Sequence, residues 1–487
     1  MDLLILKEIV LKMSGIEASE EMTNEQIDAM AGGDLLRQEA GSFNQIKNTK
    51  KSSQRLKDAL IDNNLAVPLM LLMAQQRNCV VYEETADSHL KLVGKLFDQC
   101  QDTLVQFGSF LACNLSVDDY TRRLPPMNEL LTRYHVNSDL AFFLARPMFN
   151  HQISLKYDEM RKADKSWKTR SETEKQDKYV DTALVVMEPV TAAIRPLHPS
   201  KVWDDISPQF LATFWSLTMY DLFVPEEVYS KEMAKKKVEI AKVEDNRELN
   251  NTRKKKEKER INTIIDKMTD EQKKQKGHVE KVMARLKREK DSWFFSRSAK
   301  LAKNETITTF LQLCLFPRCI FTANEAIYCA KFVQVIHSLK TPNFSTLICF
   351  DRIFCDITYT VTSCTENEAQ RYGRFLAAML EIVNRWHSTK EIFEEECVGY
   401  PGFVTKFRVA DKNGANEKPD DHVDYENYRH VCHKWHYKIA KALVVCLESK
   451  DFVQIRNALT VLTKILPHFP LIVNLSVVIE KRIDKVS

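Results

Sequence analysis

Arg253-Lys254-Lys255-Lys256-Glu257-Lys258-Glu259-Arg260 lies in the middle of residues 231–290, a stretch with no proline and one glycine, Gly277. Lys, Arg, Glu and Gln lose little side-chain freedom in a helix, so this composition predicts a long charged helix or a solvated linker. If all of it were helical it would span roughly 90 Å at 1.5 Å per residue. It holds 21 Lys/Arg against 12 Asp/Glu, a net of +9, in a chain whose total is +4. The remainder therefore carries −5. A weakly basic protein reads as two mildly acidic bodies joined by a strongly basic connector.

The stretch is not uniformly polar. Ile261, Ile264, Ile265 and Met268 share a face, as do Val279, Val282, Met283 and Leu286, at helical spacing. That part is expected to pack. Residues 231–259 show almost no stripe and are expected to be solvated and protease-sensitive. Arg253, Lys254, Lys255, Lys256, Lys258 and Arg260 are candidate contacts for an RNA backbone or an acidic partner, and Arg253 to Lys256 also fits a nuclear-import signal. Lysine–phosphate contact is blind to sequence and strongly salt-dependent. The interspersed glutamates argue against a dedicated RNA groove, and the position between two bodies favours a span that sets their separation.

Outward from this stretch the chain reads as all-α. Glycine is scarce, 11 in 487 residues, about 2% where about 7% is usual, which leaves few tight turns. The expected segments are a helical domain at 1–225, the charged helix or linker at 226–290, and a second helical domain at 291–487. Residues 3–13 open with an apolar helical stripe. Thr23 with Gln26, Thr322 with Glu325 and Thr365 with Glu368 have capping-box spacing. Residues 86–115 form a long amphipathic helix carrying Leu92, Leu96, Cys100, Leu104, Phe107 and Leu111. Helices at 126–134 and 138–146 are expected to break at Pro147, and 156–178 is expected to be a surface helix or mobile loop. Residues 344–361 allow strand by local propensity, but their neighbours favour a buried helix. Residues 398–418 are the main loop. No strict repeat is present, yet helix pairs with short connections suggest a degenerate α-solenoid of the HEAT or MIF4G kind.

The first residues lack a basic region and a cleavage site, and no uncharged apolar run reaches about 18 residues, so neither a signal peptide nor a membrane span is expected. Twelve dispersed cysteines without a C-x-x-C pair read as reduced thiols of an intracellular protein. No phosphate loop, G-x-G-x-x-G, H-E-x-x-H, EF-hand or G-x-S-x-G motif occurs. The expectation is a protein that is not an enzyme, with no cofactor and no small-molecule substrate. His430, Cys432, His433 and His436 form the best site-like cluster. His430 and His433 share a helical face that could reach a metal, while His436 diverges, so a partly buried helix face is the competing reading. Trp293-Phe294-Phe295 follows the basic stretch and could stack on bases or simply dock the stretch onto the second body.

Several strings carry a resemblance. Leu197-His198-Pro199-Ser200-Lys201-Val202-Trp203-Asp204-Asp205-Ile206-Ser207-Pro208 resembles a segment of the large scaffold subunit of the THO complex, the subunit 2 family. So do Asn304 to Thr308, Phe316-Pro317-Arg318-Cys319-Ile320-Phe321, Lys340 to Leu347, Ser363 to Ala369, Tyr372-Gly373-Arg374-Phe375 and His430 to Tyr437. They stand in the family's order and cover essentially the whole chain. The resemblance implies a MIF4G-like helical domain up to about residue 225 and a scaffold role in the nuclear THO/TREX assembly, coupling transcription to mRNA packaging and export. It implies other THO subunits and a DEAD-box RNA helicase as partners, the helicase supplying the ATP chemistry. Family members are longer and their RNA contact is associated with a basic tail. This chain is therefore expected to be a truncated paralogue or isoform, departing from the family pattern at 231–250 and 398–422.

Overall fold

The computed structural model describes residues 8–9, 23–40, 50–82, 90–246, 250–295, 302–404 and 422–486. Among them the regular elements are all helical, with two isolated antiparallel bridges, Ile206 to Phe294 and Val404 to His422. Most of the opening helix expected at 3–13 and most of the loop at 398–418 lie outside the described residues. The described start of that loop is a single turn, Pro401–Phe403.

Before the basic stretch come α1 (Asn24–Met30), α2 (Asp34–Glu39), α3 (Lys50–Asp62), α4 (Ala66–Tyr82), α5 (Leu90–Asn114), α6 (Val117–Arg123) and α7 (Met127–Thr132). Next are α8 (Ser138–Ala163), α9 (Glu172–Ile194), α10 (Pro208–Ser216) and α11 (Met219–Leu222). Two expectations change here. Helix α8 runs through Pro147 instead of stopping at it, and α9 likewise contains Pro189. Proline removes one backbone bond and crowds the preceding turn, but Phe142, Leu144, Met148, Phe149 and Ile153 are buried on both sides of Pro147. The shared apolar face outweighs the local penalty. The charged segment 156–178 is the end of α8, a turn at Trp167–Thr169 and the start of α9, which opens on a Ser171/Glu174 capping box. In α5, Cys100, Leu104, Phe107 and Leu111 are buried as the stripe requires, whereas Leu92 and Leu96 are 54% and 42% exposed.

The basic stretch is not one helix. It folds into a hairpin of α12 (Glu226–Asp245) and α13 (Asn251–Glu289), which pack on each other, with Asn250 capping Arg253 N at 2.9 Å. Ile261, Met268, Val282 and Leu286 are buried, as the stripe predicts. Among the described residues 233–264 only Ile261 is buried. Residues 231–245 are nonetheless helical, because α12 lies along its partner. Gly277 faces open space: a Cβ there would meet nothing within 4 Å. Gly277→Ala is expected to raise stability by about 0.8–1 kcal/mol, by helix propensity alone. The check is the urea midpoint, and a lower one would reject a regular helix at this position.

After the hairpin come α14 (Ala302–Phe310), which passes through a wide π-type turn at Leu311–Leu315 into α15 (Phe316–Cys319), then α16 (Ala323–Ser338) and α17 (Thr346–Cys355). They are followed by α18 (Ile357–Ser363), α19 (Glu366–Ser388), α20 (Lys390–Glu396), α21 (Tyr425–Leu447), α22 (Phe452–Ile465) and α23 (Val473–Ile483). The β-branched segment 344–361 is helical, as its neighbours imply, but as two helices, α17 and α18, that bury one face through Cys349, Phe350, Ile353, Phe354, Ile357 and Val361 and leave Tyr359 exposed. Nine of the twelve cysteines are buried and all are free.

Apolar side chains from both flanks of the hairpin close on one core, from Leu56 and Phe107 through Phe210 and Val282 to Trp386, Trp435 and Ile465. The hairpin therefore does not hold two bodies apart. Its inner end is built into that core. A buried polar cluster crosses the same boundary. Arg146 of α8 donates to the carbonyl of Trp215 at 2.9 Å and to Glu325 at 2.5 Å. Arg318 pairs with the other oxygen of Glu325 and donates to the carbonyls of Phe214 and Leu217 at the end of α10. Its guanidinium lies 3.5 Å from the centre of the Tyr328 ring. Burial pushes the Glu325 carboxyl up, but the two guanidiniums outweigh this and hold it below the usual carboxylate range.

Candidate functional site

The hairpin is fixed at two levels. At the base, Arg285 donates to Glu289 at 2.7 Å and Thr213 donates to the same carboxylate at 2.9 Å, all three buried. His278 meets Asp221 at 2.7 Å, and Arg288 pairs with Asp177 at 3.1 Å and Asp181 at 3.2 Å. Further out, α1 and α2 form a small separate core with the hairpin through Ala29, Leu36, Val228, Tyr229 and Met268. Helix α2 begins at Gly33, which has no capping side chain. Glu271 of α13 supplies the missing acceptor, taking the amides of Leu35 at 2.9 Å and Leu36 at 3.0 Å. An anion at a helix N-terminus is favoured by the exposed amides and the helix dipole. A Cβ on Gly33 would come within 2.2 Å of this carboxylate, so the close approach requires glycine. Gln275 is fully buried and donates to the carbonyls of Ala31 at 2.7 Å and Phe223 at 3.0 Å.

The six sequence-predicted cations sit at the start of α13, and they do not act as one cluster. Lys254 donates to the carbonyl of Glu244 at 2.7 Å, and Lys258 pairs with the Glu244 carboxylate. Both point at α12 and hold the hairpin together. Arg260 pairs with Glu257 on its own helix at 3.2 Å. Arg253, Lys255, Lys256 and Arg260 are exposed. A helix turns about 100° per residue, so consecutive lysines spread around it and only some can share an outer face.

Trp293 and Phe294 are 0% and 1% exposed, which rules out base stacking on them in this fold. They pack on Phe210, with ring centres 5.4 and 4.7 Å away, and dock the end of the hairpin. Phe295 alone is open, at 42%. In α21, His430 and His433 are exposed, while His436 is buried against Phe469. Burial pushes the His436 imidazole down to about 4. Among the described residues no group of three or more His, Cys, Asp or Glu is arranged to hold a metal. No described helix is long and apolar enough to cross a membrane.

Sequence patterning missed a groove of about 960 Å³ between α5 and the starts of α19 and α22, lined by Lys91, Asp98, Asp102, Thr365 and Arg456 among others. Asp98 there is 7% exposed and accepts from the Thr365 hydroxyl at 2.6 Å and the Asn367 amide at 3.2 Å. Burial pushes its carboxyl up to about 6, against the lowering effect of those two bonds. The unfolded chain releases this proton near pH 4. The folded state holds it longer, so the group's contribution to stability falls as pH rises from about 4 to about 6. Asp98→Asn is expected to flatten the change in urea midpoint across that window. An unaltered pH slope would reject the assignment. Only the α5–α19 contact reveals this residue, because the two are over 260 positions apart in sequence.

The Tho2 family, described as "Transcription factor/nuclear export subunit protein 2", matches residues 203–487. The chain is similar to THO complex subunit 2 of Homo sapiens, with 58% identity over 485 residues that cover 100% of the chain and 30% of that protein. It is similar to the protein of the same name in Arabidopsis thaliana at 37% over 506 residues, covering 100% of the chain and 27% of that protein. With the Saccharomyces cerevisiae protein the identity is 20% over 477 residues, 96% of the chain and 24% of that protein. The chain thus spans less than a third of the length of these relatives. With the family pattern covering more than half of the chain and the similarity running along all of it, the chain belongs to the Tho2 family.

Proposed function

We propose that this chain is a non-enzymatic scaffold segment of the nuclear THO part of TREX, contributing to the coupling of transcription with mRNA packaging and export. The observation that carries this reading is the 58% identity over 485 residues to proteins named THO complex subunit 2. The partners proposed are the other THO subunits and a DEAD-box RNA helicase that supplies the ATP chemistry. The packing of α4 on α5, α8 on α9, α16 on α19 and α19 on α22 supports a degenerate helical-repeat reading, which offers long surfaces for such partners. Affinity purification of the tagged chain from nuclei tests the assembly. Other THO subunits are expected in stoichiometric yield, with the helicase at salt below about 150 mM, where charged contacts are least screened. Recovery of the folded chain without any THO subunit would overturn the reading.

A further inference from the structure

Helix α13 carries a basic residue at every seventh position: Arg253, Arg260, Lys267, Lys274, Lys281 and Arg288. All six are exposed. The buried seam of the same helix has the same period, at Ile261, Met268, Gln275, Val282 and Glu289. A straight helix drifts about 20° per heptad, so a seam buried over four heptads keeps the seven-residue positions in line as the helix winds on its neighbours. The cations therefore form a ladder at a constant offset from the seam, with rungs about 10.5 Å apart. The two inner rungs are engaged: Lys281 lies over the rings of Tyr157 and Tyr179 at 5.5 and 6.0 Å, and Arg288 pairs with Asp177 and Asp181. Among the described residues no carboxylate pairs with Arg253, Lys267 or Lys274, and Arg260 has only its half-buried neighbour Glu257.

We propose that the four outer rungs, Arg253, Arg260, Lys267 and Lys274, are a contact site for the phosphate backbone of single-stranded nucleic acid. The inference does not depend on the assembly reading. Three features favour this occupant. On the flank away from the seam, Lys256, Thr263, Asp270, Gly277 and Ala284 include nothing apolar larger than alanine, and on the seam side Ile264 is already packed against the small core, so a partner helix would have no seam to bury. The four rungs run along about 32 Å of helix, which a flexible strand can follow and a rigid duplex, whose strands wind away from a straight ridge, cannot. The charge is of the right sign and is largely uncommitted within the fold. With no exposed ring along the rungs to stack on bases, recognition is expected to be indifferent to sequence and steeply salt-dependent. Asp270 sits between Lys267 and Lys274 on the same side and weakens the site.

The test is fluorescence anisotropy with a labelled 30-nucleotide poly(U), using the full chain. The quadruple variant R253Q/R260Q/K267Q/K274Q is expected to lose about tenfold or more in affinity at about 100 mM salt, and its log–log salt slope should shrink by about 3. A control variant with equal charge loss at other exposed sites, K237Q/K242Q/K273Q/K287Q, is expected to lose less than about threefold. D270K should gain affinity, an outcome that misfolding cannot produce. Equal loss in the two quadruple variants, or no loss in either, would overturn the proposal in favour of diffuse charge or no binding. Binding a duplex of the same length as tightly through the same rungs would overturn the single-strand assignment. Displacement of poly(U) by polyglutamate at matched charge, with retained sensitivity to the ladder, would point to an acidic protein partner and overturn it too.

Discussion

Glu325→Leu is expected to destabilise the protein by about 3–5 kcal/mol, because it strands two buried guanidiniums without their shared carboxylate. Arg318 is 0% exposed and Arg146 7%. Water cannot replace the lost partner, and neither arginine can shed its charge. The cluster also fixes the end of α10, whose Phe214 and Leu217 carbonyls are taken by Arg318. Loss should therefore loosen the join between the segments before and after the hairpin, read as a lower urea midpoint and faster amide exchange in α10 and α16. The triple variant R146L/E325L/R318M should recover part of the loss, since replacing a whole buried ion cluster by apolar groups is far milder than breaking it. If Glu325→Leu alone were neutral, the carboxylate would not be the keystone its geometry indicates.

Trp293→Ala is expected to cost about 3–5 kcal/mol, the range for deleting a buried large aromatic side chain. Its ring is 0% exposed and packs between Phe210 and Phe332, whose centres lie 5.4 and 6.1 Å away. The carbonyl of Trp293 also accepts from Ser207 at 3.0 Å, tying the end of the hairpin to the start of α10. The backbone link survives the substitution, so the loss reports packing. Trp293→Phe should retain much of the stability. Affinity for single-stranded RNA, measured below the unfolding transition, should not change with Phe at this position. A specific loss of RNA affinity with intact stability would show that the ring reaches a base.

Local chemistry made much of this legible in sequence. Thr23 with Gln26 and Thr365 with Glu368 form the reciprocal capping boxes their spacing implies. Ser207-Pro208 starts α10 with the hydroxyl on the Phe210 amide at 3.1 Å. The stripe Ile261, Met268, Val282 and Leu286 is buried as read. These signals lie within one or two helical turns, where backbone geometry alone sets which groups meet. Thr322 and Glu325 mark the limit. Thr322 caps α16 as its spacing predicts, but the Glu325 side chain turns to Arg146 and Arg318 instead of completing the box. Two buried charges outbid one local backbone amide.

An all-α chain, the helix starts, the buried face of α13 and the family are legible in the residues themselves, because each rests on positions close together or on strings read in order. Long-range packing doubled the basic stretch back as a hairpin, set Lys254 and Lys258 to serve that hairpin while Arg253, Arg260, Lys267 and Lys274 face outward, and joined both flanks in one core. It also carried α8 through Pro147 and buried Asp98. The physical reason is common to all of these: burial against residues far away in sequence, as between Glu271 and α2 or between Arg146 and Glu325, outweighs local preference, and charge composition holds no record of which distant surface will be there.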